Sequence, residues 1–342
     1  MGVWENVSWE RMKVLIVHPC KGFYGGAEEV VVQFCNYLSG DRHEVVLVSK
    51  DAPMEFGASN LCEASSYLRM WWMVRRYLEI DWPDVICCFN FPATLAVFTT
   101  KKPIIWYCNE PPELFTNWWR RPIEAFNRWW VRKSGMKCIV ADEMQAFRFY
   151  RIYGVGPKVI PYGIDYRFWS QMDGGKEDKF TILQVGHSEF FSRGKKILEE
   201  IRGRIPEARL VQLSGKTHEE VREWYGRAHV LIHPIDTQGG WLVPFEAVSA
   251  GLPIIVSDRF TGASIIKNNN LGIVASIEAF PSVIEQGYEL YTEGFYSKSN
   301  TKGVRRGWVK ENLTWERFGE SMVKVFKEAL NARTDERFAK ES

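Results

Sequence analysis

In the segment TQGGWLVPFEAVSAGLPIIVSD (237–258), a helix is predicted to start at Pro244, with the carboxylate of Glu246 inside its first turn. Pro244 favours that start, because proline lacks the N–H that has no partner in a first helical turn. The helix is expected to end at Gly251, before the buried strand IIVSD. A carboxylate in a first turn commonly complements the helix dipole. Beside the preceding Gly-Gly turn, its two oxygens could instead accept hydrogen bonds from a vicinal diol such as ribose.

Three basic residues, Arg193, Lys195 and Lys196, are predicted at the start of another helix, after the strand-end glycine Gly186. Cations are unfavourable at the positive end of a helix dipole, and a bound anion would remove that conflict. A guanidinium fork suits a diphosphate, although a solvated basic helix start would have the same sequence. Combined with the diol acceptor, this anion site describes a nucleoside diphosphate.

A second glycine pair, Gly25 and Gly26, falls where the first strand turns into the first helix. Bare N–H groups at such a helix start can face an anion, although a tight turn without a ligand would look the same. The spacing is not GxGxxG, and the second strand is followed only by Asp51, after a lysine. A nicotinamide-dinucleotide site is therefore not favoured.

The segments that position these residues alternate between short apolar runs and helical stretches. Continuous apolar runs predict strands of a parallel sheet whose two faces are covered by helices. The first set is KVLIVHP, EVVLVS, DVICCFN, PIIWYCNE and KCIVAD, and the second set is FTILQVG, ARLVQLSG, HVLIHP, PIIVSD and LGIVAS. Between the sets, SQMDGGKEDK (170–179) is interpreted as an interdomain linker. The chain is thus predicted to hold two α/β domains, with a ligand in the cleft at the carboxyl ends of their strands.

Four segments resemble motifs of the GT-B glycosyltransferases, in particular the retaining glycosyltransferase family 4. They are GGAEEVV, VIPYGIDYRF, VGHSEFFSRGKK and QGGWLVPFEAVSAGLPIIVSD, and the resemblance extends from Met12 to about Ala332. It implies two Rossmann-like, doubly wound parallel-sheet domains that face each other across a cleft. The acceptor-binding domain is expected at 1–168 and the nucleotide-sugar-binding domain at 169–318. A C-terminal helix (319–342) is expected to return to the first domain.

The resemblance implies transfer of a sugar from a nucleotide-diphosphate donor to a glycan or lipid-linked acceptor, with retention of the anomeric configuration, no metal and no cofactor. Glu246 matches the glutamate that holds the ribose hydroxyls, and Arg193 matches the lysine that contacts the diphosphate. Gly25 and Gly26 match the first-domain loop that approaches the phosphate. The other expected donor-binding residues are Gly186, His187, Lys196, Gly239, Gly240, Trp241 and Leu242.

Three positions depart from the family pattern, and two of them are the expected catalytic positions. Gln238 replaces the first glutamate, Asn109 replaces a histidine, and His187 replaces an arginine. Gln238 can hydrogen-bond sugar hydroxyls but carries no charge to stabilise an oxocarbenium-like transition state, a charge that Asp236 or Glu110 could supply. Two alternatives therefore stay open: a nucleotide-sugar epimerase of similar architecture, and a catalytically weak GT-B subunit that scaffolds a membrane assembly.

Composition excludes several other classes of protein. The 44 basic residues nearly balance the 42 acidic ones, and a net charge of +2 does not indicate a nucleic-acid partner. No apolar run approaches the roughly 18 residues that cross a bilayer, and the first residues lack the apolar core of a signal peptide. The seven cysteines are odd in number and contain no CxxC pair, which favours buried thiols in a cytoplasmic protein.

Aromatic residues make up 14% of the chain and concentrate in the first domain. The segment from Asn117 to Lys133 interleaves tryptophans with arginines, which is typical of a helix at a membrane interface. A helix packed on the sheet with its arginines in water is the alternative, but adjacent tryptophan pairs exceed what one buried stripe requires. The residues expected to face an anionic surface, on the inner face of the cell membrane, are Trp118, Trp119, Arg120, Arg121, Trp129, Trp130 and Arg132.

Overall fold

The computed structural model describes residues 11–20, 25–51, 60–109, 121–171, 175–236, 240–292 and 301–341. The chain divides into two compact units, one formed by Met1–Pro161 with Trp315–Ser342 and the other by Tyr162–Thr314. Each unit contains one parallel β-sheet covered by helices, which confirms the predicted α/β fold of two doubly wound sheets.

The first unit holds a sheet with the strand order β3-β2-β1-β4-β5-β6-β7. All its pairings are parallel, and β1 lies between β2 and β4, with Val14 opposite Val45 on one side and Val85 on the other. The strands are β1 (Lys13–His18), β2 (Glu44–Lys50), β3 (Asn60–Ala64), β4 (Val85–Phe89), β5 (Ile104–Tyr107), β6 (Lys137–Val140) and β7 (Lys158–Val159). The helices are α1 (Gly26–Gly40), α2 (Tyr67–Glu79), α3 (Ala93–Ala96), α4 (Arg121–Ser134), α5 (Glu143–Tyr153) and α13 (Trp315–Glu341).

Helices cover both faces of this sheet because successive strand residues point to opposite sides. On one face, Leu15 and Val17 of β1 belong to a core with residues of α2, α3, α4 and α5. On the other face, Phe34 of α1 contacts Phe89 of β4 and Phe318 of α13, with ring centroids 6.1 and 5.5 Å apart. The apolar strands are therefore buried on two sides, as a parallel sheet requires.

The second unit holds a parallel sheet with the strand order β12-β11-β10-β8-β9. Its strands are β8 (Thr181–Val185), β9 (Arg209–Leu213), β10 (Val230–His233), β11 (Ile254–Ser257) and β12 (Ile273–Ala275). Its helices are α6 (Tyr166–Ser170), α7 (Phe191–Ile201), α8 (His218–Arg227), α9 (Leu242–Ala250), α10 (Ala263–Asn268), α11 (Phe280–Thr292) and α12 (Thr301–Asn312). Ile182 of β8, Ile197 of α7 and Phe280 of α11 lie together in its core.

The sequence pattern misses two strands, β3 and β7, which lie at the two edges of the first sheet. β7 has only two residues, and β3 reads NLCEA, with a glutamate inside the strand. An edge strand is less covered than a central one and needs no continuous apolar run, so the pattern that finds buried strands does not find it.

The stretch predicted as a linker (170–179) does not connect the two units. Its Glu177 belongs to the second unit, where its main-chain N–H donates to the Arg227 carbonyl oxygen at 3.0 Å. The Glu177 carboxylate also pairs with Arg209 at 2.6 Å. The described residues 175–179 are therefore a bonded surface segment of the second unit and not a free connection.

In each unit a buried histidine directly before a strand accepts a main-chain hydrogen bond from the chain at the neighbouring strand. Met12 N–H donates to His43 Nδ1 at 3.2 Å in the first unit, and Thr181 N–H donates to His229 Nδ1 at 3.0 Å in the second. Burial lowers the pKa of both imidazoles, and the positive charge of Lys176 helps to lower the pKa of His229 to about 4. Both rings are therefore neutral at neutral pH.

Candidate active site

Helix α9 presents Glu246 beside the carboxyl edge of the second sheet. The helix follows β10 and begins at Leu242, two residues before the predicted start at Pro244. Its end at Gly251 is confirmed, with a φ of +79°. Glu246 is the fifth helical residue and half-buried, which places it beyond the first turn. The helix dipole therefore explains this carboxylate poorly, because its effect falls off within that turn.

Tyr225 of α8 holds the Glu246 carboxylate. Its hydroxyl donates to Glu246 Oε2 at 3.2 Å, and the residue has no exposed surface. Burial and, second, the charge of Glu246 raise the pKa of Tyr225 well above its ordinary value, so the hydroxyl remains a hydrogen-bond donor. Sequence reasoning did not single out Tyr225, because an amphipathic helix pattern does not say which residue will meet a partner 21 positions away.

Gly240 lies against the end of β10. Its φ is +73°, and a Cβ at this position would come within 2.8 Å of His233 Cε1. The backbone conformation and the close approach therefore both require glycine. The next two expected donor-binding residues, Trp241 and Leu242, have buried side chains, and the Trp241 ring lies 4.4 Å from that of Phe245. Of these two residues only the main chain could meet a donor.

Of the three basic residues predicted at the start of α7, only Arg193 lies in the first turn, since Lys195 and Lys196 are the fifth and sixth residues of the helix. Arg193 is paired with Asp236. Its two terminal nitrogens each donate to one carboxylate oxygen of Asp236 at 2.9 Å, and one of them also donates to the Pro234 carbonyl at 2.9 Å. The hydrogen bond from Arg193 lowers the pKa of Asp236, which therefore stays ionised. The expected diphosphate contact is thus a guanidinium that already has one carboxylate partner.

Gly194 allows α7 to lie directly against the sheet. A Cβ at Gly194 would overlap the side-chain oxygen of Gln184 on β8. That oxygen accepts a hydrogen bond from Gln212 Nε2 at 2.8 Å, and the same nitrogen donates to the Phe191 carbonyl of α7 at 2.7 Å. The two glutamines thereby fix the helix start that carries the basic residues.

A cavity of about 290 Å³ opens between α7 and the ends of β11 and β12. Its walls carry charges of both signs, with three basic and four acidic side chains. They are Arg193, Lys196 and Arg259, and Glu200, Asp236, Asp258 and Glu278. Gly186, with a φ of +143°, and the exposed His187 follow β8 at the same sheet edge. An anion in this cavity would meet Lys196 and Arg259 as well as the Arg193–Asp236 pair.

In the first unit, Gly25 and Gly26 lie at the start of α1, as the sequence predicts. The Gly25 N–H donates to Glu28 Oε2 at 3.1 Å, and the other Glu28 oxygen lies 3.2 Å from His18 Nε2. Burial acts to raise the pKa of Glu28, but the hydrogen bond and charge of His18, together with hydrogen bonds from the main chain and Cys20, lower it. The glutamate is thus an ionised cap that already binds the loop expected to approach phosphate.

A metal could be considered at His18, Cys20 and Glu28, whose ligand atoms lie within 4.8 Å of one another. Among the described residues, this is the one group of three or more His, Cys, Asp or Glu side chains placed to share a metal ion, and all three side chains are buried. His18 Nδ1 has no hydrogen-bond partner, whereas a metal-bound histidine normally donates its other ring N–H. Both Glu28 oxygens already have hydrogen-bond partners, so the capping of α1 explains why the three side chains lie together. That sugar transfer needs no metal stays a prediction.

Asn109, one of the two expected catalytic residues, follows β5 at the carboxyl edge of the first sheet. It is 7% exposed, and its main-chain N–H donates to Asn90 Oδ1 at 3.1 Å. Asn90 follows the neighbouring strand β4. Gln238, the other expected catalytic residue, lies outside the described part of the chain. Five further residues named from the sequence lie outside it too: Gly239, Glu110, Trp118, Trp119 and Arg120.

The aromatic helix α4 has one exposed and one buried tryptophan. Trp129 is 48% exposed and Arg121 and Arg132 are also exposed, but Trp130 is 8% exposed and packs against Phe98 at 5.0 Å. The expectation that Trp130 faces a membrane is therefore wrong, because Trp130 lies about 100° around the helix from Trp129, on the side that packs into the core. Among the residues the structure describes, no helix is both long and apolar enough to span a membrane.

Two family models match the chain in succession. The model for Glycosyltransferase Family 4 matches residues 24–168, and the model for Glycosyl transferases group 1 matches residues 169–291. Together they cover most of the chain. No curated protein sequence matches it significantly.

Solved structures share the fold at low sequence identity. HepE from Anabaena, in complex with UDP and glucose, is 13% identical with a TM-score of 0.72, over 92% of this chain and 99% of that chain. Sucrose-phosphate synthase from Thermosynechococcus elongatus is 11% identical with a TM-score of 0.68, over 94% and 100%. WaaG, a glycosyltransferase involved in lipopolysaccharide biosynthesis, is 16% identical with a TM-score of 0.61, over 93% and 99%. These matches show the fold, two parallel-sheet α/β domains of the GT-B type.

Proposed function

Because the chain belongs to the family 4 glycosyltransferases, which have the GT-B fold, we propose that it uses a nucleotide-diphosphate sugar to glycosylate a glycan or lipid-linked acceptor. We further propose that the anomeric configuration is retained and that no metal ion takes part. The enzyme class follows from the family, and the donor, the acceptor and the mechanism are the proposal.

The observation that carries the proposal is a fixed carboxylate on α9 and two basic residues of α7 at one edge of the second sheet. Parallel neighbours β10 and β8 end at the same edge, so the helices that follow them, α9 and α7, begin there together. Glu246 on α9 offers a carboxylate oriented by Tyr225 for a ribose diol. Arg193 and Lys196 on α7 offer two cations for a diphosphate.

Metal independence is supported by the same cations. A diphosphate leaving group needs positive charge where it develops negative charge, and glycosyltransferases without a metal must draw that charge from the protein. Lys196, Arg193 and Arg259 line one cavity of this unit and are the cations that could supply that charge. His187 follows β8 close by and is a further polar contact for a phosphate oxygen.

Retention is proposed on the family resemblance, with Gln238 in the position of the first family glutamate. A glutamine there can orient the hydroxyls of the transferred sugar by hydrogen bonds without contributing charge. Asn109 is proposed to serve the acceptor side. The acceptor itself is proposed to be membrane-proximal, because α4 exposes Trp129 together with Arg121 and Arg132.

A donor screen tests this function in two steps. UDP-, GDP- and ADP-sugars are first compared by thermal stabilisation, and any stabilising donor is then tested for acceptor-dependent turnover with the product anomer determined by NMR. Retained configuration with a required acceptor supports the proposal. Product formed without an acceptor would indicate an epimerase. Stabilisation with no turnover on any acceptor would indicate a scaffold subunit, and an inverted product would refute retention.

A further inference from the structure

Helix α2 exposes apolar side chains on the face where a surface helix is normally polar. Leu68, Trp71 and Trp72 are 74%, 40% and 51% exposed, and they recur at i, i+3 and i+4. Arg75 and Arg76 continue the same stripe one turn later. The opposite stripe, with Met70 and Val74, is buried against the sheet. The outward tryptophans are therefore not core residues, and contiguous exposed apolar surface of this kind marks a binding face.

Helix α4 repeats this arrangement. Phe126 and Trp129 are 40% and 48% exposed and lie one turn apart, and the exposed Arg132 and Lys133 follow at the next turn. The inward residues of α4 are buried in the same core as those of α2. Two helices of one unit thus each show an aromatic stripe that ends in basic side chains.

Phe98 joins the two stripes into one surface. Its ring lies 5.1 Å from that of Phe126 and 6.4 Å from that of Trp129. Its carbonyl accepts a hydrogen bond from Arg75 at 3.4 Å, and the guanidinium of Arg75 lies 5.3 Å from the Trp71 ring. A continuous chain of contacts therefore runs from α2 through Phe98 to α4.

This surface is strongly basic although the protein is nearly neutral. α2 and α4 contain seven basic and two acidic residues, a net charge of +5, compared with +2 for the whole chain. The guanidinium of Arg76 lies 4.6 Å from the Trp72 ring, so cation and indole are held together. The basic residues are Arg69, Arg75, Arg76, Arg121, Arg128, Arg132 and Lys133, and the acidic ones are Glu79 and Glu124.

We propose that α2, Phe98 and α4 together form the docking surface for an anionic lipid bilayer. Indole rings prefer the headgroup level, where the apolar body is buried and the N–H stays wet, and arginines beside them meet anionic headgroups. A second copy of this chain fits less well, because a symmetric contact would oppose two faces of charge +5. The proposal adds α2 to the interface predicted from α4. The purpose of such docking, access to a membrane-proximal acceptor, rests on the proposed function. The docking itself is measured as vesicle binding, which does not depend on catalysis.

The test is flotation of the full chain with lipid vesicles at low salt. Vesicles of phosphatidylcholine alone are compared with vesicles containing about a third phosphatidylglycerol, which supply the surface potential that attracts basic residues. We expect the protein to float with the anionic vesicles only, and raised salt to release it. Equal flotation with both vesicles, or none with the anionic ones, would overturn the proposal.

Two α2 variants separate the charge from the aromatic surface. Arg69→Gln with Arg76→Gln changes exposed residues and should weaken binding about thirtyfold, since each basic residue near the surface contributes roughly 1 kcal/mol and 1.4 kcal/mol is tenfold. Leu68→Gln with Trp72→Gln should also reduce binding. A matched charge control, Lys324→Gln with Lys327→Gln, changes exposed residues of α13 on the opposite face of the sheet.

An apolar control, a variant of α4 and two further measurements make the outcome decisive. Val304→Gln changes a residue 69% exposed in the second unit and serves as the apolar control. If the α2 variants bind as the wild type does while Phe126→Gln with Trp129→Gln abolishes binding, α2 is not part of the surface. Sedimentation without lipid tests for an oligomer. If an oligomer forms and the α2 variants dissociate it, the surface binds a second copy of the chain and the lipid proposal is overturned. The melting temperature of each variant is also measured with and without the donor. It shows whether the variant is folded and whether it binds the donor, so a loss of donor binding is distinguished from a loss of docking.

Discussion

Replacing Tyr225 with phenylalanine should weaken donor binding through Glu246 alone. The substitution removes one hydroxyl, which donates to Glu246 Oε2 at 3.2 Å, and keeps the ring that packs 5.5 Å from the Trp169 ring. Because the pKa of Tyr225 lies well above its ordinary value, this hydroxyl is a donor at every pH at which the protein is assayed. The change therefore removes this hydrogen bond to the carboxylate without removing the carboxylate itself.

The magnitude follows from what the hydroxyl does for the carboxylate. Without the hydroxyl, the Glu246 side chain must be ordered when the ligand binds, which costs about 0.5–1.5 kcal/mol of binding free energy. Tyr225→Phe should therefore reduce nucleoside-diphosphate affinity about 2- to 12-fold. Glu246→Ala removes hydrogen bonds to a charged group, worth about 1.5–3 kcal/mol, and should reduce affinity about 10- to 150-fold. The donor KM should rise in both variants, and kcat at saturating donor should change less.

The assay is isothermal titration of the nucleoside diphosphate into both single variants and the double variant. If Tyr225 acts only through Glu246, adding Tyr225→Phe to Glu246→Ala should change the affinity less than twofold, which is a strongly non-additive cycle. An equal loss from Tyr225→Phe in both backgrounds would refute the reasoning and show that the hydroxyl matters for packing. Unchanged affinity in Glu246→Ala would refute the ribose contact itself.

Three further predictions follow from the second unit. Turnover should survive EDTA, because Arg193 and Lys196 supply the charge at the phosphates; activity lost to EDTA and restored by Mn²⁺ would show that a metal supplies it. Lowering the pH from about 6.5 to 4 should destabilise the protein by about 1–3 kcal/mol through His229, because the unfolded imidazole takes up a proton near its ordinary pKa while the folded one, with a pKa of about 4, does not. Urea unfolding should show that His229→Asn, which keeps an acceptor for the Thr181 N–H, reduces this pH dependence; an unchanged dependence would assign it to other groups. Gly194→Ala should lower the melting temperature, at a cost of about 1–3 kcal/mol, because its Cβ would overlap the Gln184 side chain. Gly203→Ala, which has nothing within 4 Å of the added carbon, is the control, and equal melting temperatures would show that α7 has room to move.

The sequence predicts the second-unit framework well because local signals specify it. The end of α9 needed only Gly251, and the strands needed only continuous apolar runs. The start of α9 at Leu242 was two residues earlier than Pro244 suggested. That small difference moves Glu246 out of the first turn, which weakens the electrostatic explanation and favours a binding role.

Contacts between distant segments could not be predicted in the same way. Tyr225 and Glu246 belong to different helices, and only the packing of α8 against α9 brings them together. The tryptophan pair of α4 shows a second limit, since composition indicated an interface but helix geometry sends Trp129 outward and Trp130 inward. The spacing of Leu68, Trp71 and Trp72 predicts the exposed stripe of α2 once Met70 and Val74 are assigned to the buried face of the helix.

The pairing of Arg193 with Asp236 changes what each residue can contribute to catalysis. Asp236 was one source considered for the negative charge that Gln238 lacks, but both of its oxygens accept hydrogen bonds from Arg193. A carboxylate neutralised in this way stabilises a developing positive charge on a sugar much less than a free one. A lysine, which the family pattern has at this position, cannot bind both oxygens in a fork, so the arginine and the aspartate belong together as one arrangement. Since Arg193 in turn brings less net charge to a diphosphate, Lys196 and Arg259, the other two basic residues of the cavity, must carry more of the phosphate contact than Arg193 does.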